Sequence, residues 1–483
     1  SMTTIRTRFA PSPTGYMHIG NLRTALFAWL VARHHGGQFL LRIEDTDQAR
    51  FVEGAEATIL ETLSWLGLDW DEGPTADGHE IGAHGPYHQT DRRALYQQWA
   101  ERLVSQGLAY ADPYTPEEVQ AFRQHAHAEK RAFLYRDHRP TNPPVWDGSQ
   151  PLRFRVPTIK RYTWHDPIMG QLSAGPEALD DFVLMKSDGL PTYNFAHIVD
   201  DYEMQVTHVI RGSEYIASTP KYLSLYEALG LEPPVLACAP HIMAPTGTKK
   251  LGKRDGAKSA TEYRDEGILP EAMMNFLAQL GWNDGTEQEI FSRQELIDSF
   301  RLDRVQKSGA RFDEQRLLWL NGQWIRRLPL DELSQRVARF WPASAQQHDE
   351  AYKMQVLALV QDRLKTLGDL PGLTDYFFAE PTVNRDLLAQ HKQLKKLAPA
   401  EQRQLLQAAR QALADLTTWT PEAIQQCLNQ LLCDTSQKPA VLFSLIRIAT
   451  TWAPFSPQLN DTLALLGRQR TLARLDHADT QLE

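Results

Sequence analysis

The sequence predicts an α/β protein: a doubly wound parallel sheet, split by an α+β insertion and followed by an all-α C-terminal region. Three observations carry this expectation. The first 43 residues read strand, loop, helix, strand; that rhythm lapses from about 110 to 190 and returns from 191 to 257; beyond about 258 apolar residues recur every three or four positions.

Taken in order, "TIRTRF" alternates toward a short strand ending at Phe9, and the Pro- and Gly-containing stretch 11 to 15 reads as a loop. From Asn21 to Arg33 the apolar positions Leu22, Ala25, Leu26, Trp29 and Leu30 recur at helical spacing, and Gly36 with Gly37 ends the element. "QFLLRI" (38 to 43) is a second strand that delivers Glu44, Asp45 and Asp47 at its C-terminal end. Such a βαβ unit binds ligands at the carboxyl ends of its strands. In the insertion, "RPTNPPVWDGSQP" and "LRFRVP" alternate loops with short strands. Strand-like "HVIRG" (208 to 212), helix-like "STPKYLSLYEALG" and strand-like "VLACAPHIM" then restore the α/β pattern. "LPEAMMNFLAQLGW" and "AYKMQVLALVQDRLKTLG" are the clearest helical stretches of the C-terminal half.

At 483 residues the chain is long enough for several domains. No apolar run approaches the roughly 18 residues of a membrane span and no leader is read, so a cytoplasmic location without membrane attachment is expected. Cys238, Cys427 and Cys433 have no metal-ligand spacing and make no disulfide framework. The net charge of −9 excludes indiscriminate nucleic-acid binding but leaves room for local basic patches.

Two clusters carry chemistry. His18-Ile19-Gly20-Asn21 stands where a helix begins, and the unpaired N–H groups and positive dipole end there suit a phosphate. "GTKKLGKRDGAKS" (247 to 259) places Lys249, Lys250, Lys253, Arg254 and Lys258 among glycines, a flexible cationic loop of the kind that suits a pyrophosphate-releasing reaction. Taken singly, a histidine beside a glycine is turn chemistry and a basic loop is solvated surface.

Together the clusters resemble the His-Ile-Gly-His and Lys-Met-Ser-Lys-Ser signatures of class I aminoacyl-tRNA synthetases, whose catalytic domain is a split Rossmann-type fold. "RFAPSPTGYMHIGNLRTALFAWLVARHHGGQFLLRIEDTD", "DGLPTYNFAHIVDDYEMQVTHVIRG" and "ARFDEQRLLWLNGQWIR" are similar to bacterial glutamyl-tRNA synthetases, and the likeness runs through nearly the whole chain. The resemblance implies a glutamate–tRNA ligase. Glutamate attacks the α-phosphate of ATP to give glutamyl-adenylate and pyrophosphate, and the glutamyl group passes to the 3′-terminal adenosine of tRNA(Glu). It implies a division into a first Rossmann half (1–109), an inserted acceptor-end module (110–190) and a second half with the lysine loop (191–257). A helical stem-contact domain (258–328) and a helical anticodon-binding domain (329–483) follow. ATP with Mg²⁺, L-glutamate and tRNA(Glu) are the implied partners, and a monomer is the implied state.

A carboxylate is already ionised at neutral pH, so the first step needs alignment and charge neutralisation rather than a base. The resemblance assigns catalysis to His18, Gly20, Lys250 and Lys253. It assigns ATP binding to these four with Pro11, Thr14, Asn21, Leu251 and Arg254. Arg8 and Arg211 are the candidates for bidentate contact with the carboxylates of glutamate, with Ser12, Glu44, Tyr193 and His197 beside them and Glu44 facing the ammonium. For Arg8 and Glu44 the plain alternative is a structural ion pair. Candidate tRNA phosphate contacts are Arg301, Arg304, Lys307, Arg311, Lys392, Lys395, Lys396, Arg468, Arg470 and Arg474.

The chain departs from the family pattern in four places. Asn21 stands at the fourth position of the first signature, where its capping chemistry retains function. Gly252 stands for the serine of the second, which predicts a modest loss of activity and a looser loop. "RGSEY" replaces "RGEDH", bringing Ser213 and Tyr215 near the pockets. "YADPY" (110 to 114) occupies the place where some members carry zinc-binding cysteines; His125, His127 and His138 without thiolates predict no structural zinc and a module held by packing. Gly252 and Asn21 also motivate an alternative, a catalytically weak tRNA-binding paralogue; another is a ligase that also charges tRNA(Gln).

Overall fold

The computed structural model describes residues 3–15, 17–252, 255 and 258–483. Strand β1 (Arg6–Phe9), helix α1 (Ile19–His34) and strand β2 (Gln38–Leu41) form the expected βαβ unit, the strands parallel with Arg6 opposite Gln38 and Phe9 opposite Leu41. α1 starts earlier than its apolar period suggests because His18 is its N-cap. It is buried on nearly every side, including each residue from Ala25 to Ala32, as a helix without a polar face must be. Its return to β2 depends on both glycines. Gly36 takes a left-handed φ of 64°, and a Cβ at Gly37 would lie 2.1 Å from the Ile5 carbonyl.

The second half of the sheet pairs His208–Gly212 in parallel with Val235–Ala239 through the helix Thr219–Leu229. The halves meet where the Thr207 N–H donates to the Arg6 carbonyl at 2.9 Å. "VLACAPHIM" is two strands rather than one, Val235–Ala239 and Ile242–Met243, parted at Pro240, which has no N–H to give a ladder.

Between the halves, Ala109–Ala111, Leu152–Phe154 and Val183–Met185 make a three-stranded antiparallel sheet beside the hairpin of Tyr162–Asp166 and Gly170–Ala174. The helix Pro116–Ala128 opens on a capping box of Thr115 and Glu118. Here His138 stacks on Phe122 with ring centres 4.0 Å apart, Tyr114 meets Phe122 edge-on, and His125 pairs with Glu129. Among the described residues, the one group with metal-ligand spacing is Glu80, His88 and Asp91, outside the insertion, and its His88 already bonds Glu56 at 2.7 Å.

The chain forms two compact units, residues 1–264 with 270–317, and 265–269 with 318–483. The second is helical, its core built on Leu406, Ile424, Leu428, Leu442, Leu445 and Ile446. The helix expected through "AYKMQVLALVQDRLKTLG" stops at Val360; a 3-10 turn follows, and Asp369 takes the Lys365 and Thr366 N–H groups to start the next element. Among the described residues no helix is long and apolar enough to cross a membrane.

Three candidate phosphate contacts are corrected here. Arg468 donates to Ala414 O, Arg470 to Leu466 O and Phe377 O, and Arg474 to Thr450 O. Each of these carbonyls lies in the last turn of a helix, where four C=O groups lack partners and the dipole is negative. These arginines therefore tie helix ends together inside the unit. Lys392, Lys395 and Lys396 are exposed, as are Arg304 and Lys307.

Candidate active site

α1 begins at the carboxyl ends of the parallel strands, and the chain around that point encloses a cavity of about 500 Å³. Arg8, Pro11, Ser12, Thr14, His18, Gly20, Asn21, Glu44, Tyr193, Arg211, Lys250 and Leu251 all line it. Segments some two hundred residues apart in sequence thus converge on one site. Lys253 and Arg254 lie outside the described residues.

The first signature is built around a backward-folded imidazole. His18 Nδ1 accepts the Gly20 N–H at 3.0 Å, which leaves the ring proton on Nε2. Burial, helped by the charge of Lys250, lowers the proton affinity of this ring, so it is a neutral donor at pH 7. Gly20 is required by the ring itself: a Cβ there would stand 3.1 Å from His18 Nδ1. Gly20→Ala is expected to displace the imidazole and lower kcat for adenylate formation about 10-fold, measured as glutamate-dependent ATP–pyrophosphate exchange with tRNA present.

The lysine loop is fastened at both ends. At its entry Ala244 N bonds Lys249 O and Leu251 N bonds Ile242 O, each at 2.9 Å, which sets Lys250 opposite Met243. At its exit Ser259 bridges to His18, with Ala260 N on Met17 O at 3.3 Å. Gly252 N–H donates to Asp255 Oδ2 at 3.0 Å, and among the described residues a Cβ at 252 would meet that oxygen alone, at 3.7 Å. No described atom crowds a serine there.

Deeper in the site lies a charge network that motif reading missed. Arg8 gives Nε and Nη2 to the two oxygens of Asp201, at 3.0 and 2.9 Å. Arg42 bonds Asp201 Oδ1 at 2.9 Å and Glu44 Oε2 at 3.0 Å; Arg92 bonds Asp200 Oδ1 at 2.7 Å. Gln89 and Tyr96 complete Asp200. All of these side chains are buried, and the cations Arg8, Arg42 and Arg92 balance Asp200, Asp201 and Glu44. The bidentate face expected of Arg8 for a substrate is therefore already taken, and Glu44 is held by Arg42 and by Gln89 Nε2 at 3.1 Å, not by Arg8. Arg42, Arg92, Asp200 and Asp201 carry no local motif; the "RIED" and "VDD" clusters were the available hint.

Breaking a buried ion pair leaves a charge uncompensated, so Asp201→Ala should cost about 3–5 kcal/mol in denaturant unfolding. The acid limb follows from two groups. Arg8 and Arg42 hold the Asp201 carboxyl far below its usual value against the opposing effect of burial, so its contribution is complete above about pH 4 and is lost as pH falls further. Burial pushes the His197 imidazole down to about 3. The unfolded chain then takes up that proton first, and stability should start to fall below about pH 6.5.

His197 does not line the cavity, which corrects its expected place. It stacks behind Tyr193 at 4.6 Å between ring centres, meets Tyr222 edge-on and stands 3.9 Å from Asp201 Oδ2. Arg211, by contrast, lines the cavity, and no ion pair to it is recorded among the described residues. Its Nη1 reaches the Tyr193 hydroxyl at 3.3 Å, and Tyr215 and Tyr222 flank the guanidinium at 4.7 and 5.2 Å. Its Nε and Nη2 are buried without a hydrogen-bond partner. A buried guanidinium in that state is short of an anionic or hydrogen-bonding partner.

The comparisons agree with this geometry. The family described as tRNA synthetases class I (E and Q), catalytic domain, matches residues 4–319, and an anticodon binding domain matches residues 332–479. A glutamate–tRNA ligase of Dehalococcoides mccartyi is 40% identical over 99% of this chain and 98% of its own length. One of Moorella thermoacetica is 41% identical over the same shares. A crystal structure of a glutamate tRNA ligase from Elizabethkingia meningosepticum in complex with its amino acid superposes with a TM-score of 0.86 at 31% identity, covering 100% of both chains. These relatives support an active ligase and lend nothing to a weak paralogue. The chain belongs to the glutamate–tRNA ligases among the class I tRNA synthetases.

Proposed function

We propose that the cavity joins L-glutamate to ATP and then passes the glutamyl group to the 3′-terminal adenosine of tRNA(Glu). The observation that carries this reading is Arg211, a cavity-lining arginine with no ion pair recorded among the described residues and with Nε and Nη2 buried and unpartnered behind the cavity surface. The side-chain carboxylate of glutamate completes that fork, and a neutral amide leaves the charge unpaired, which disfavours glutamine. Tyr193 steadies the guanidinium from Nη1. Glu44 keeps Oε1 free of the contacts made through Oε2 and takes the ammonium, while Arg8, fixed by Asp201, lends its remaining edge to the cavity.

ATP lies toward the start of α1. His18 Nε2–H and the first N–H groups of the helix donate to phosphate, Gly20 keeps the ring in place, and Lys250 supplies charge where pyrophosphate leaves. The acidic side chains lining the cavity are Glu44, engaged by Arg42, and Glu214. That donor set suits Mg²⁺ carried by the phosphates and water, whose charge adds to that of Lys250. The insertion (110–190) takes the acceptor end, residues 258–328 the stem side, and residues 329–483 the anticodon, with Lys392, Lys395 and Lys396 on phosphates.

The test is charging of tRNA(Glu) and tRNA(Gln) in parallel with ATP, magnesium and labelled glutamate, with Lys250→Ala as control. Charging of tRNA(Glu) that disappears in the control is expected. The ratio between the two tRNAs measures discrimination.

A further inference from the structure

The hairpin that carries Lys250 brings a second histidine to the cavity. His241 immediately precedes the strand Ile242–Met243, and the pairing of Ile242 with Leu251 and Met243 with Lys250 sets it one step further on, level with Gly252. It lines the cavity that His18 and Lys250 line. The side chain is 31% exposed, and its nearest carboxylate, Glu214 Oε2, is 3.7 Å from Nδ1, beyond hydrogen-bond reach. No hydrogen bond to the ring is recorded among the described residues. Across the site Asn21, at the fourth position of the first signature, is exposed and uncharged.

We propose that His241 is a phosphate-contacting residue of the ATP site, supplying from the lysine-loop hairpin the second imidazole that α1 lacks. The inference rests on the proposed ATP end of the cavity. The groups facing the ring are Lys250 from the hairpin, Glu214 from the segment after His208–Gly212, and Arg23 from α1. Burial, then Lys250, lowers the proton affinity of His241, with Glu214 opposing, so the ring is neutral while the cavity holds no phosphate. The negative charge of a triphosphate reverses that balance. His241 then takes a proton from water and donates a charge-assisted hydrogen bond, so nucleotide binding is coupled to proton uptake.

Calorimetric titration with a non-reactive α,β-methylene analogue of ATP tests this, in buffers of different ionisation enthalpy and on both sides of about pH 6.5. Wild type should take up protons on binding. His241→Ala should weaken binding about 10- to 100-fold with the glutamate affinity and melting temperature unchanged. His241→Gln, which keeps a donor but cannot titrate, should hold most of the affinity and lose the proton uptake. Asn21→His in the His241→Ala background should recover part of the binding. Analogue affinity and proton uptake in His241→Ala equal to wild type would overturn the inference alone. No binding by wild type would overturn the ATP-site reading and the inference with it.

Discussion

Arg211→Ala should raise KM for glutamate by about 100-fold or more while KM for ATP stays within about twofold, because the variant loses a buried cavity-lining cation that has no carboxylate partner among the described residues. Steady-state exchange with each substrate varied in turn reads this directly. Arg211→Lys separates charge from geometry: it keeps a cation but loses the planar fork, and about a 10-fold rise is expected. The same residue makes an opposite prediction for stability. A buried guanidinium with Nε and Nη2 unsatisfied costs the unliganded fold free energy, so Arg211→Met, which keeps apolar contact with Tyr215 and Tyr222, should melt at a higher temperature than wild type. Glutamate should raise the melting temperature of wild type and leave the variant unmoved. A variant that melts lower and binds glutamate normally would mean that Arg211 is a structural residue.

Lys250→Ala should lower kcat for adenylate formation about 100- to 1000-fold, the loss expected when a charge aimed at a developing anion is removed. The side chain is exposed and no ion pair to it is recorded among the described residues, so the melting temperature should not change. KM for glutamate should not change either, since Arg211 acts from another strand. Gly252→Ser belongs beside this variant. No described atom crowds a side chain there, and the expected outcome is activity equal to or modestly above wild type.

Much of this site was legible in the sequence, for reasons that differ between residues. α1 announces itself as an apolar run of helical length closed by Gly36 and Gly37, although a helix buried on nearly every side carries no single apolar stripe. His18, Gly20 and Lys250 sit in short contiguous signatures, so local reading finds them. The role of Gly20 was only half legible: its missing Cβ makes room first for the neighbouring histidine. Arg8 was legible as a cavity residue but its pairing was not: its partner, Asp201, is 193 positions away, and no periodicity reports a pairing across the split sheet. Arg468, Arg470 and Arg474 were misread for a related reason. A cation on a helix looks the same in sequence whether it faces water or the carbonyl end of a neighbouring helix. His241 lay in a stretch read as a single strand; the ladder breaks at Pro240, and His241 lines the cavity in the gap between the two strands.

The most direct test of the central claim is kcat/KM for charging tRNA(Glu) with glutamate, wild type against Arg211→Ala, with glutamine as competitor. The account predicts efficient charging by wild type that excess glutamine leaves unaffected, and a loss of about 100-fold or more in the variant. Charging by Arg211→Ala at the wild-type rate, or tRNA binding by wild type without any charging, would contradict it.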